Sequence, residues 1–168
     1  KAVDIQLDHL LGATFNLQEN GTLIACEAAQ IHQELFAIGQ DNHLDDVVKS
    51  RISRGQTILA SHYIDMQQAR SKLQTQLDAA IADFDVLILP TVPVVAPTIK
   101  SLDKADDFNH TNMLILRNPS VFNFYDLPAA SIPLPRSGME LPVGLMVVGK
   151  RGCDRELLAL TETINDSL

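Results

Sequence analysis

Few residues in this chain stand where their types and spacing could do chemistry. Activation of a serine by a lysine needs the two side chains within hydrogen-bond reach. The adjacent pairs Lys49-Ser50 and Ser71-Lys72 do not meet that need, because helix neighbours point to different faces and facing pairs sit three or four residues apart. His62 and Asp65 do share a helical face, but an isolated pair of this kind is by default a weak surface interaction. His32, just before Leu35, reads as a packed or half-exposed histidine rather than a ligand. The run Asp41-Asn42-His43-Leu44-Asp45-Asp46 holds the residue types of a metal site. It fits the start of a helix better, with Asp41 or Asn42 as the cap and Asp45 and Asp46 favouring the dipole in the first turn. Neither G-x-G-x-x-G nor G-x-x-x-x-G-K-[ST] occurs, and C-x-x-C, H-E-x-x-H and G-x-S-x-G are missing as well. The residues themselves therefore assign no cofactor, no metal and no catalytic group.

The composition narrows the class. A chain of 168 residues, 46% hydrophobic and 20% charged, is long enough to bury roughly 70% of its unfolded surface as a single domain. Cys26 and Cys153 alone cannot staple a disulfide framework. The apolar runs, such as Val86–Leu89, are far shorter than the roughly 20 residues that span a bilayer. No charged segment leads into an apolar stretch at the start, so the expectation is a cytoplasmic protein without a signal peptide. A net charge of −8 argues against nucleic acid and anionic membranes as partners. The first residue is Lys1, which leads to the expectation of a piece cut or cloned from something longer.

All eight prolines lie between positions 90 and 142, so residues 22–84 are free to be helical while 85–150 should mix strands and loops. Thr22 is a good cap for a helix from Leu23 to Ile38, with Leu23, Ala28, Ile31, Leu35 and Ile38 as its apolar stripe and Gly39 as its end. A second helix is predicted from Leu44 to Arg54, stopping at Gly55. A third, Ser61 to Asp83, carries Met66, Ala69, Leu73, Leu77, Ala80, Ile81 and Phe84 at steps of three and four, the strongest periodic signal in the chain. The run Asp85–Pro90 reads as a strand covered on both faces. Residues 99–109 read as a loop, and 110–117 as a short helix that Asn118-Pro119 interrupts. Ala129–Ile132 and Val143–Val148 read as an antiparallel hairpin, and the intervening helix permits a parallel crossover between the first strand and the second. A last helix falls within 153–165. The fold class expected is α/β, a mixed sheet flanked by helices.

Three blocks are more specific than these patterns. They are DVLILPTVPVVAP (Asp85–Pro97), RNPSVFNFYDLPAASIPLP (Arg117–Pro135) and LPVGLMVVGKRGCDRELLALTETI (Leu141–Ile164). Together and in order they resemble the C-terminal part of amidase-signature enzymes. Upstream, EAAQIHQEL, VKSRISRG and YIDMQQAR resemble the helical segment that precedes those blocks, so the resemblance runs from Thr22 to the end. It implies the C-terminal portion of an α/β/α sandwich and hydrolysis or transfer of amide bonds. It also implies a nucleophilic serine, a second serine in a cis peptide and a lysine base, all from a Gly/Ser-rich signature upstream of the matched segments. No Ser-Ser or Gly-Gly pair stands for that signature here, so no catalytic residue carries over.

The resemblance places Arg51, in its R-x-x-x-G spacing with Gly55, at the position that binds a substrate carboxylate in amidotransferase-like members. A guanidinium suits that task because its planar fork meets a carboxylate through two hydrogen bonds. The alternative is an exposed arginine that favours a helix C-terminus. Phe122 and Asn123 are candidates for the acyl pocket; packing for the former and backbone satisfaction for the latter are the alternatives. The family's acidic residue before the second block is replaced by Leu114-Ile115-Leu116-Arg117, which points to an amide or ureide hydrolase rather than glutamine-dependent transfer. The Pro90–Pro97 segment follows the carboxyl end of a buried strand and is expected to border the site.

The leading expectation is thus a catalytically incomplete C-terminal segment of a carbon–nitrogen hydrolase that acts on a small-molecule amide. A free-standing binding or assembly module of the same shape is the alternative, and a metal hydrolase using the aspartate–histidine run is the weakest option. A truncated sheet leaves bare edges and uncovered stripes, so the isolated chain is expected to self-associate.

Overall fold

Thr22 caps a helix as its position requires: its hydroxyl accepts the Ala25 N–H at 3.0 Å. In the computed structural model, which describes residues 1–136, 138 and 140–168, backbone proximity divides the chain into two units, Lys1–Gln74 and Thr75–Leu168. The first holds α1 (Asp8–Leu17), α2 (Leu23–Ile31), α3 (Gln33–Ala37), α4 (Asp46–Gly55) and most of α5 (Ala60–Ala80). The second holds the end of α5, then β1 (Leu87–Pro90), α6 (Ala105–Phe124), β2 (Ala129–Pro133), β3 (Gly144–Val148) and α7 (Asp154–Asn165). No helix among the described residues is long and apolar enough to cross a membrane.

In the first unit, α2 crosses α4, and Leu23, Ala29 and Ile52 are buried along those helices. The crossing depends on Gly55: a Cβ there would overlap the carbonyl of Ala25. The predicted single helix over 23–38 breaks at His32, which ends α2 and heads α3. Its stripe is only partly used, since Ile31 is 75% exposed and Ile38 64%. The cap of α4 is Asp45, whose carboxylate accepts the Val47 and Val48 N–H groups at 2.9 and 3.4 Å. Asp41 and Asn42 sit instead in a separate 3-10 turn, Asp41–His43. The helix α1 had no counterpart in the sequence patterns, although it buries Leu10 and Thr14.

The second unit is built on a sheet in the order β1-β3-β2. The hairpin of β2 and β3 forms, with Ile132 opposite Leu145 and Ala130 opposite Val147. The expected mixed pairing does not. β1 pairs antiparallel with β3, Leu87 opposite Val148 and Pro90 opposite Leu145. The strands β1 and β2 therefore do run in one direction, as a crossover through α6 allows, but β3 lies between them. Positions 137 and 139 in the β2–β3 connection lie outside the described residues. One sheet face packs on α7, where Ile132, Val147 and Leu157 form a buried cluster joined by Val86, Leu145 and Ile164. The strand β1 is not covered on both faces, because Ile88 is 52% exposed. Arg151 donates to both carboxylate oxygens of Asp78 at 3.1 and 3.2 Å, and Lys150 Nζ donates to the Ala82 carbonyl at 2.6 Å. These contacts tie the turn after β3 to the end of α5.

Pro119 does not interrupt its helix. The helix α6 begins at Ala105, inside the expected loop, and continues through Pro119 to Phe124. An interior proline costs about 3 kcal/mol. Here the turns after it bury Val121, Phe122, Phe124 and then Tyr125, and burial at about 1.5–3 kcal/mol per large apolar side chain exceeds that cost.

Tyr125 is fully buried and meets Phe124 edge to face, with ring centroids 5.3 Å apart. Burial pushes its hydroxyl above its ordinary value of 10.0. The folded state thus favours the neutral phenol. The resulting contribution is complete below the unfolded value near 10 and is lost as pH rises through the higher folded one. Urea titrations from pH 8 to 11.5 should show a steeper alkaline loss of stability in the wild type than in Tyr125→Phe. Equal slopes would contradict this.

Candidate functional site

The carboxyl end of β1, where a border to the site was expected, carries a polar cluster. Pro90 closes the strand, and the Thr91 N–H continues the ladder to the Gly144 carbonyl at 2.9 Å. Across β3, Ser131 stands on β2. The Thr91 and Ser131 hydroxyl oxygens are 2.5 Å apart, although their strands are not neighbours. Gly144 makes this possible, because any Cβ there would strike both hydroxyls. From α6, the Asn118 side-chain amide donates to the Pro90 carbonyl at 2.8 Å and accepts from Arg117 Nε at 3.2 Å. The asparagine before the helical proline therefore fixes the strand end instead of ending the helix.

Chemically this cluster is a short rim of donors and acceptors. Among the described residues neither hydroxyl contacts a lysine, histidine or carboxylate, the partners that activate a nucleophile. The rim can present a hydroxyl to a bound polar group and hold the Pro90–Pro97 segment in place. The sequence reading missed Thr91, Ser131, Gly144 and Asn118 as a group. The hairpin register was legible, but the insertion of β3 between β1 and β2 was not.

Arg51 lies in α4 of the first unit with its side chain exposed. It is one turn ahead of the buried Gly55, so the close crossing at Gly55 sets the helix that carries it. Before the start of α4, the Asp41 carboxylate is paired with Lys49. Hydrogen bonding by that ammonium, joined by its charge, holds the Asp41 carboxyl below the usual range. With Asp41 engaged by Lys49 and Asp45 by backbone amides, the acidic run is used structurally. No group of three or more His, Cys, Asp or Glu able to hold a metal occurs among the described residues.

Phe122 and Asn123 lie in the last turn of α6 in the second unit. Phe122 is buried, Asn123 is exposed, and the Asn123 carbonyl accepts the Asp126 N–H at 3.2 Å. His62 makes no hydrogen bond to Asp65 through Nε2, which is buried without a partner. His32 is half-buried at the junction of α2 and α3.

Helices flanking a small sheet, with a polar rim at its strand ends, define an α/β domain of the kind that places ligands at strand termini. The comparisons with known proteins are more specific. The family model described as Amidase matches residues 6–158, and the chain belongs to that family. A glutamyl-tRNA(Gln) amidotransferase subunit from Haloarcula marismortui is 35% identical over 130 residues, which are 74% of this chain and 30% of that protein. The 2-amino-5-chloromuconic acid deaminase of Comamonas testosteroni is 24% identical over 87% of this chain and 31% of its own length. Among solved structures, Kluyveromyces lactis allophanate hydrolase superposes with a TM-score of 0.78 at 22% identity, over 96% of this chain and 26% of that one. A structure described as an amidase gives 0.76 at 24% identity, over 98% of this chain and 37% of that one. At these identities the structural likeness speaks for the fold. The chain spans about a third or less of the curated relatives it matches.

Proposed function

We propose that this chain is the C-terminal part of an amidase-signature hydrolase acting on amide or ureide carbon–nitrogen bonds, and that it is catalytically incomplete by itself. The observation that carries this reading is a family match over 6–158 in a chain spanning only 30% of one relative and 31% of another. The groups that attack the carbonyl and move its protons then belong to the remaining portion, and this chain supplies scaffold and substrate-contacting surface. Arg51 holds a substrate carboxylate through its guanidinium fork. Asn123 offers a polar group to the acyl part, and Phe122 backs it. The proposed setting is the cytoplasm and the proposed substrate a small amide.

The purified 168-residue chain is expected neither to hydrolyse a carboxamide nor to react with a fluorophosphonate serine probe. A longer protein that carries a Gly/Ser-rich stretch with paired serines, preceded by a lysine, should do both. In that protein Arg51→Ala should raise KM for a carboxylate-bearing amide about 10- to 100-fold, the worth of a charge-assisted pair, with a smaller change in kcat. Turnover or stoichiometric labelling by the chain alone overturns the proposal. A reading frame without the upstream serine stretch favours the binding-module alternative.

Self-association belongs to the same reading. Ile88 on the edge strand β1 is 52% exposed, and Ile24, Ile31 and Ile38 expose 70%, 75% and 64% of their surface. Light scattering on the isolated chain should report a mass rising above 18.4 kDa with concentration. A constant monomer mass argues against it.

A further inference from the structure

The first unit contains a cavity of about 600 Å³ that the hydrolase reading does not use. It lies where α2, the end of α4 and the start of α5 meet. Its volume falls within the few hundred to about 1,000 Å³ typical of small-molecule sites. Ile31, Ile58 and Ala60 give it apolar walls, and Glu27, Gln30 and Tyr63 bring polar groups to them. Gly55 forms part of the lining where α4 rests against the Ala25 carbonyl.

The polar groups are ordered in one direction. The Gln67 side-chain amide donates to the Tyr63 hydroxyl oxygen at 2.9 Å, and that hydroxyl donates to Glu27 Oε1 at 3.1 Å. The relay ends on the carboxylate, with Oε2 left for a donor from outside the relay. Glu27 is the one ionised group among the lining residues. The Cys26 thiol, also in the lining, is pushed toward its neutral form chiefly by burial. No lysine or arginine in the lining opposes the carboxylate, and the chain as a whole carries a net charge of −8. An apolar enclosure with a single anchored anion complements a compact body bearing a positive donor.

We propose that the cavity bounded by Ile31, Ile58, Glu27 and Tyr63 binds a small organic ammonium, its apolar body against the isoleucines and its N–H groups on the Glu27 carboxylate. This site is independent of the hydrolase reading, because it uses neither Arg51 nor any residue assigned to substrate above.

The test is a titration of the isotopically labelled 168-residue chain with benzylamine at about pH 7, where the amine is protonated, followed by backbone amide shifts. Benzyl alcohol and benzoate serve as matched neutral and anionic probes. Saturable shifts centred on Cys26, Glu27, Gly55 and Tyr63 are expected. Benzylamine should bind about fivefold tighter than benzyl alcohol, the upper worth of a solvent-accessible ion pair, with benzoate weakest. Glu27→Gln keeps shape and hydrogen bonding at this exposed position and should bring the two affinities within about twofold. Tyr63→Phe retains the carboxylate and should retain the preference. Absence of saturation, shifts spread away from these residues, or equal affinity for the three probes overturns the proposal. A preference that survives Glu27→Gln does so too. None of these results bears on whether the longer protein hydrolyses amides.

Discussion

Gly55→Ala is expected to destabilise the first unit, the reverse of what its helical position alone implies. Alanine in place of an interior helical glycine ordinarily gains about 1 kcal/mol. At this position the new Cβ would overlap the Ala25 carbonyl and lie 2.9 Å from the Cys26 nitrogen. Both are backbone atoms inside α2, so no rotamer change relieves the overlap and α4 must move away from α2. Overpacking of this kind costs about 1–3 kcal/mol and occasionally more. A clash with rigid backbone belongs at the upper end, so the net loss should be about 2 kcal/mol even after the propensity gain. For a unit of this size the thermal midpoint should fall by roughly 10 °C. Gly12 supplies the control: it is helical too, with nothing within 4 Å of a Cβ placed there. Gly12→Ala should raise stability by up to about 1 kcal/mol. Thermal melts of the two variants followed by circular dichroism check both signs. A Gly55→Ala protein as stable as the wild type would show that the α2–α4 crossing is not as tight as described.

The contrast between these glycines shows which parts of the molecule the sequence can disclose. Local chemistry was legible: Thr22 and Gly39 bound the first predicted helical segment, and the buried Met66, Leu77 and Ile81 lie on the stripe read along α5 and its end. Failures arose where a distant partner decides the outcome. Pro119 ordinarily stops a helix, and only the burial of the turns after it carries α6 onward. Asp41 and Asp45 were equally good caps in sequence; Lys49 claims the first and leaves the second to the amides of α4. The hairpin could be read because its strands are sequence neighbours, whereas the place of β1 beside β3 depends on closing a loop of more than fifty residues. For the site the division is sharper. Arg51 was legible through the family pattern of R-x-x-x-G, while the Thr91–Ser131 contact needed the strand order. A spacing of forty residues carries no periodic signal.

That contact can be tested through the residue that permits it. Gly144→Ala would place a Cβ against the Ser131 hydroxyl, 2.6 Å from Thr91 Oγ1 and 3.2 Å from Thr91 Cβ. β-propensity favours alanine over glycine by a fraction of about 1 kcal/mol. Against that stand the forced separation of the hydroxyl pair, about 1 kcal/mol for the lost hydrogen bond, and strain of about 1–3 kcal/mol. The opposing terms predict a net loss of about 2 kcal/mol in chemical denaturation. In a Thr91→Ala/Ser131→Ala background both obstructing oxygens are gone and only Thr91 Cβ remains near. There the same Gly144→Ala change should cost less than about 1 kcal/mol, a coupling within the range seen for residues in direct contact. If the two costs are equal, the hydroxyls are not what Gly144 makes room for. The rim at the strand ends would then need another explanation than a glycine-bridged pair that holds the Pro90–Pro97 segment in place.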